Sequence, residues 1–231
     1  MKLWAAALLA SAALSAPAAA QNWNASYDRT EQQGHRIGNP EADISVIEFV
    51  SYTCPHCADF EREAEAELKY LYVHEGQATV EYRHMIRNPI DVAAALVTEC
   101  GSGENFIGNH RAMLVTQDEW LGKARAASQG QQQRWTTGPI SSRMRAIAND
   151  LDWYELMEPR GYSIAQLDAC LSDEARAQEL VTVANANAVQ YGVQGTPSFV
   201  VNGELLDHVH NWPALREVLL TLREAPQEAP Q

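Results

Sequence analysis

The chain has 231 residues, 46% of them hydrophobic and 20% charged, which suffices for a sizeable core and is too apolar for a disordered chain. Its formal charge of −13 lacks the basic footprint that nucleic-acid binding requires. Four cysteines are too few for a scaffold in which bridges replace the core.

Residues 1–20 combine an early Lys2, an apolar run from Leu3 to Leu14, and Ala18-Ala19-Ala20 before Gln21. That order predicts a secretory signal peptide, and the run is too short for a retained membrane anchor. Export places the cysteines where disulfides form and persist. Residues 21–36 are polar and aperiodic, and read as an N-terminal arm.

The run Asp43–Val50, rich in Ile, Val and Phe, predicts a strand, and 78–86 a second one. Between them a helix is expected over Pro55–Glu75, with Pro in its first turn and Gly76 after its last. Cys57, Phe60, Ala64, Leu68 and Leu71 form its apolar stripe. Asp59, Glu61, Glu63 and Glu65 fall mostly off it, as a solvated acidic face. Residues 91–187 read as helical, with a capping box at Ser163 and Gln166 and a polar loop over 122–139. A long helix follows over 172–191, then a hairpin around Asn202-Gly203, a helix over 212–223 and a disordered tail over 224–231. The order describes an α/β domain split by a helical insertion.

Cys54-Pro55-His56-Cys57 places a C-x-x-C where a strand meets a helix. At the helix start, free backbone N–H groups and the dipole favour a thiolate at Cys54. His56 adds a cation and a donor when protonated, while the stripe buries Cys57 as the partner sulfur. Haem attachment would need His at position 58, which is Ala58. Half a zinc site lacks two further ligands at matching spacing, since Cys100 and Cys170 stand alone and His208 and His210 sit on a strand end. A plain structural disulfide would not call for a cation neighbour and a helix start.

Glu48-Phe49-Val50-Ser51-Tyr52-Thr53-Cys54-Pro55-His56-Cys57, with Gly195-Thr196-Pro197-Ser198-Phe199 downstream, resembles the DsbA family of periplasmic thiol–disulfide oxidoreductases. The resemblance spans most of the chain from Ile37 to Arg223. It implies a thioredoxin-like fold over 37–90 and 188–223, interrupted by an all-helical insertion over 91–187. It makes Cys54 the nucleophile and Cys57 the resolving cysteine. Pro197 becomes a cis-proline facing them, with Thr196 offering backbone groups to an extended substrate. Glu48 matches a buried acid beneath the site, able to manage the proton of Cys57; the alternative is an exposed edge position.

Thr196 departs from the valine of the best-known members and also occurs in disulfide isomerases. Those isomerases are dimers with an extra N-terminal domain, so a monomeric oxidase is expected here. Cys100 and Cys170 fall on apolar helix faces in the insertion, which in an oxidising compartment predicts a structural disulfide, the alternative being two buried thiols.

The resemblance implies an exported, periplasmic oxidase acting on unfolded secreted polypeptides and reoxidised by a DsbB-type membrane quinone oxidoreductase. Nothing in the sequence points to a bound cofactor or metal. Isomerase or reductase activity on the same fold is one alternative, and a peptide-binding chaperone with a structural C-x-x-C is another.

Overall fold

The computed structural model describes residues 21–224. The signal-peptide reading of 1–20 lies outside them, as does the tail reading apart from Glu224, which closes the last helix.

Two short strands, β1 (Tyr27–Arg29) and β2 (His35–Gly38), precede β3 (Ile44–Val50), α1 (Pro55–Glu67) and β4 (Ala78–His84). Eight helices follow: α2 (Pro89–Thr98), α3 (Phe106–Val115), α4 (Gln117–Ala126), α5 (Gln129–Thr136), α6 (Ile140–Asp150), α7 (Trp153–Met157), α8 (Ile164–Leu171) and α9 (Glu174–Tyr191). The chain then returns to the sheet with β5 (Ser198–Val201) and β6 (Glu204–Leu205), and ends its described part in α10 (Trp212–Glu224). The sheet order is β1-β2-β4-β3-β5-β6. Its central pair, β3 and β4, is parallel and joined through α1, and the other pairings are antiparallel. This is the thioredoxin-like arrangement with a helical region between β4 and β5.

Three expectations need correction. The arm is not irregular: β1 and β2 form a hairpin that extends the sheet, with Ile37 opposite Val80 of β4. Strands of three and four residues carrying Asp28, Arg29 and Arg36 hold too little apolar pattern to be read. The loop over 122–139 is also largely helical. Ser128 caps α5 by accepting from the Gln131 N–H while the Gln131 side chain accepts from the Ser128 N–H, so the signature recognised at Ser163 recurs here. Trp135 is the single buried anchor of α5.

The third correction concerns the end of α1. Over Leu68–Val73 the helix widens into a π-turn, and the extra residue per turn rotates the buried face. Leu71 is consequently 46% exposed, while Tyr72 and Val73 turn inward.

The buried side chains form two principal clusters. Cys54 and Cys57 belong to the one built on α2 and α6–α8, whereas Phe60, Ala64 and Leu68 belong to the one against the sheet and α10. Thus α1 begins in one core and ends in the other. A polar junction ties the two halves together elsewhere. Glu99 accepts from Arg29 at 2.9 Å and from Arg176 at 2.7 Å, and its Oε1 lies 2.9 Å from His35 Nε2 and 3.2 Å from His84 Nε2. Burial opposes the Glu99 charge, but the bonds from His35 and His84 with the Arg29 charge hold its pKa down to about 2.

Candidate redox site

Strand β3 runs through the sheet centre and leaves it at Val50. A tight turn follows, in which the Cys54 N–H donates to the Ser51 carbonyl at 3.1 Å. Cys54 then occupies the cap position of α1 in an extended conformation, with Pro55 in the first turn. Pro lacks the N–H that would go unused there, and the N–H of Cys57 donates to the Cys54 carbonyl at 3.1 Å.

Cys54 and Cys57 are free thiols here. Both are buried: Cys57 completely, and Cys54 with 4% exposure. The expectation that burial alone separates them is therefore too simple. Their surroundings do separate them. A hydrogen bond from the Cys57 thiol, then the Thr196 side chain and the backbone N–H groups of Cys57 and His56, pull the Cys54 pKa down to about 5 against the cost of burial. Burial pushes the Cys57 thiol well up, and the neighbouring Cys54 and Glu48 add to the rise. One sulfur is a thiolate at neutral pH and the other a thiol.

The His56 ring does not cover the thiolate. Its side chain is 79% exposed, with Nδ1 3.9 Å from Asp59, and the contribution of this residue comes from its backbone N–H.

Across from Cys54 lies the 195–198 segment. The Thr196–Pro197 peptide is cis. The Cys54 sulfur lies 3.1 Å from the Thr196 carbonyl oxygen, a hydrogen bond it can donate only when protonated, and the Pro197 carbonyl accepts from His210 Nδ1 at 2.8 Å. His210, expected on a strand end, lies between β6 and α10 instead and braces this segment.

Glu48 is central, since β3 has partners on both sides. In register it lies between Tyr82 of β4 and Phe199 of β5, so all three side chains project from one face of the sheet. Phe199 packs on Phe60 of α1, with ring centroids 4.7 Å apart, which identifies that face as the one beneath the C-x-x-C helix. Glu48 is 1% exposed and neither carboxyl oxygen has a partner. Burial, followed by Glu61 and Cys54, raises its pKa well above the carboxylate range. Its surroundings therefore favour the protonated, neutral carboxyl.

Glu61 departs from the expected solvated face. It is buried, lines a cavity of about 180 Å³ with Phe60, Ala64 and Tyr82, and sits 3.8 Å from His110 Nε2. Burial and the Glu65 charge raise its pKa to about 7.

Two further buried residues reach the Ser51–Cys54 turn from the helical region. Asp91 accepts from the Thr53 N–H and the Ser51 hydroxyl, each at 2.9 Å. Gln117 donates through Nε2 to the Tyr52 carbonyl at 2.7 Å and the Cys54 carbonyl at 2.8 Å. Neither was legible in the sequence. Asp91 resembles any acid in a helix first turn, and Gln117 lies 63 residues from Cys54.

Cys100 and Cys170 form a disulfide between the end of α2 and α8, with Cα atoms 5.7 Å apart. Among the described residues, His35, His84 and Glu99 bring ligand atoms within 4.8 Å of one another. The two guanidiniums already on Glu99 oppose a further cation, and the cluster reads as an ion network.

A family profile described as Thioredoxin matches residues 30–220. The crystal structure of a protein-disulfide isomerase from Novosphingobium aromaticivorans is 42% identical, with a TM-score of 0.79, over 83% of this chain and 98% of that one. DsbA1 of Wolbachia pipientis, at 17% identity and a TM-score of 0.65, covers 82% of this chain and 90% of its own, and shares the fold. A Rickettsia conorii chain named as a protein-disulfide oxidoreductase is 28% identical over 72% of this chain. The present chain spans about half the length of such curated relatives, 52% in that case. With the profile running from β2 into α10 and the C-x-x-C at the start of α1, the chain belongs to the thioredoxin family.

Proposed function

We propose that the protein is an exported thiol–disulfide oxidoreductase that introduces disulfides into unfolded secreted polypeptides at Cys54–Cys57. The observation that carries this reading is the opposed acidity of two sulfurs in one helical turn. In the oxidised state, a substrate thiolate attacks the Cys54 sulfur. The Cys54–Cys57 bond breaks, and Cys57 leaves as a thiolate that takes up a proton, for which the neutral Glu48 carboxyl beneath the site is a nearby source. A second substrate thiolate then attacks the substrate sulfur of the mixed disulfide. Cys54 is expelled as a thiolate stabilised by its surroundings, the substrate has lost two electrons, and the protein is reduced. A leaving thiol of low pKa departs faster, so the depressed pKa favours this direction.

In this reading Thr196 and Pro197 face the extended substrate, and the domain reading of 37–90 and 188–223 around an insertion over 91–187 is retained. The protein works as a periplasmic monomer, and a DsbB-type membrane quinone oxidoreductase removes the electrons. The test is the reduction potential of Cys54–Cys57 in glutathione buffers. A value nearer about −120 mV supports the oxidase, and one near about −270 mV supports a reductase.

A second reading is disulfide isomerisation, favoured by the Novosphingobium relative, which is named a protein-disulfide isomerase, and by Thr196. It requires reduced Cys54 to attack scrambled disulfides. Recovery of activity by scrambled ribonuclease, with reduced protein and no net oxidant, separates the two.

A further inference from the structure

Gln117 is the first residue of α4 and is wholly buried. Both N–H groups of its amide are engaged, one on the Tyr52 carbonyl and one on the Cys54 carbonyl. Its Oε1 is buried without a partner. Leaving a buried carbonyl unpaired is costly, and an apolar residue of similar size would avoid that cost. The gain that retains a glutamine here lies in the two bonds to the cysteine turn.

The Cys54 carbonyl also accepts the Cys57 N–H that closes the first turn of α1. Fixing that carbonyl fixes the plane of the Cys54–Pro55 peptide, and with it the aim of the His56 and Cys57 N–H groups at the sulfur. Asp91 holds the same turn from α2 through Ser51 and Thr53. Around Gln117 and Cys54 the titratable and charged groups are Cys57 on α1, Glu48 on β3 and Asp91 on α2, with Arg87 bonded to Ser51 and Thr53 of the same turn and His56 facing solvent. Gln117 itself does not titrate.

We propose that Gln117 is a positioning residue through which the helical region holds the Cys54 turn and sets the reactivity of the redox pair. The proposal rests on the redox reading above and names the contact by which the inserted helices act on that site. Without the donor pair, the Tyr52 and Cys54 carbonyls each lose a donor, the latter keeping only the Cys57 N–H, and the turn relaxes away from the sulfur.

The experiment follows the Cys54 thiolate by its ultraviolet absorbance against pH in the full reduced protein, with thermal melts alongside. Gln117→Met keeps the volume and removes both donors. Its Cys54 titration should move up by about one pH unit, because fewer aligned N–H groups stabilise the anion. Gln117→Asn keeps the amide but is one methylene too short, and should shift in the same direction. Cys100→Ala/Cys170→Ala serves as control: it lowers the melting temperature without touching the turn, and should leave the titration unchanged.

A folded Gln117→Met that titrates like the unaltered protein overturns the proposal. If that variant does not fold, Gln117→Asn decides by the same criterion. A shift of equal size in the Cys100→Ala/Cys170→Ala control also overturns it, since loss of stability alone would then suffice. If Cys54 of the unaltered protein titrates near 9, the redox reading fails instead, a result distinct from a low value that Gln117→Met leaves in place.

Discussion

The Cys54 sulfur lies 3.1 Å from the carbonyl oxygen of Thr196, 142 residues further along the chain. The contact joins the start of α1 to the segment before β5, so the reactive sulfur has a wall on one side. An extended polypeptide lying along residues 195–197 would bring its own sulfur to Cys54 rather than to Cys57.

Alkylation should therefore be strongly one-sided. Iodoacetamide on the reduced native protein should label Cys54 with a midpoint near pH 5, the value set by its surroundings. Cys57, buried and held as a thiol, should stay unlabelled through neutral pH. Peptide mass mapping checks this, and equal labelling of both cysteines would contradict it. Cys57→Ala should accumulate mixed disulfides through Cys54.

The reduced form should be more stable than the oxidised form at neutral pH. Closing a four-residue loop constrains the unfolded chain little, whereas folding stabilises the Cys54 thiolate. The folded pKa, about 5, lies below the ordinary value of 9. That contribution is complete above the unfolded pKa, shrinks as the pH falls, and is gone below the folded pKa. Melts at pH 7 should place the reduced form higher by roughly 2–4 °C, and the gap should close as the pH falls towards about 5. An oxidised form that melts higher at pH 7 would refute the thiolate argument.

The Cys100–Cys170 bond should survive mild reduction that opens Cys54–Cys57, because its sulfurs are set into the helical core. Removing it as Cys100→Ala/Cys170→Ala should cost up to about 4 kcal/mol, given the long loop it closes. Nonreducing peptide maps and urea unfolding provide the measurements. Free thiols at both positions in exported protein would exclude a structural role.

Glu61→Gln should stabilise the protein at pH 8 relative to pH 4. The Glu61 pKa is raised to about 7 by burial and Glu65, so the folded protein holds a proton that the unfolded chain releases near the ordinary 4.5. The penalty is absent below the unfolded pKa, grows through the window and is constant above the folded value. At about 1.4 kcal/mol per pH unit it reaches roughly 3 kcal/mol. Denaturant unfolding at the two pH values reads the difference directly. An unchanged difference would mean that the cavity solvates the carboxylate.

Local chemistry made part of this legible in the sequence. The C-x-x-C at a strand–helix junction, the Ser163 capping box and the Asn202-Gly203 hairpin are each short-range signals that the fold uses where they stand. What the pattern hid depends on distant partners or on small local irregularities. Glu61 has four-residue spacing from Cys57 on α1, yet only the packing against Tyr82 and His110 reveals it as buried. Leu71 fits an ideal helical stripe, and the π-turn breaks that period without a marker in composition. Gln117 and His210 act on backbone carbonyls, which carry no side-chain identity to be recognised.

The placement of α1 across two cores has a mechanical consequence. Its first turn, with both cysteines, belongs to the core of the helical region, while Phe60, Ala64 and Leu68 belong to the core against the sheet. Forming or breaking a bond between Cys54 and Cys57 therefore alters the joint of a beam clamped at both ends. Slack introduced at that joint spreads into whichever clamp is weaker. Amide exchange in α2 and α6 should thus report the redox state of the cysteines as faithfully as exchange in α1 itself.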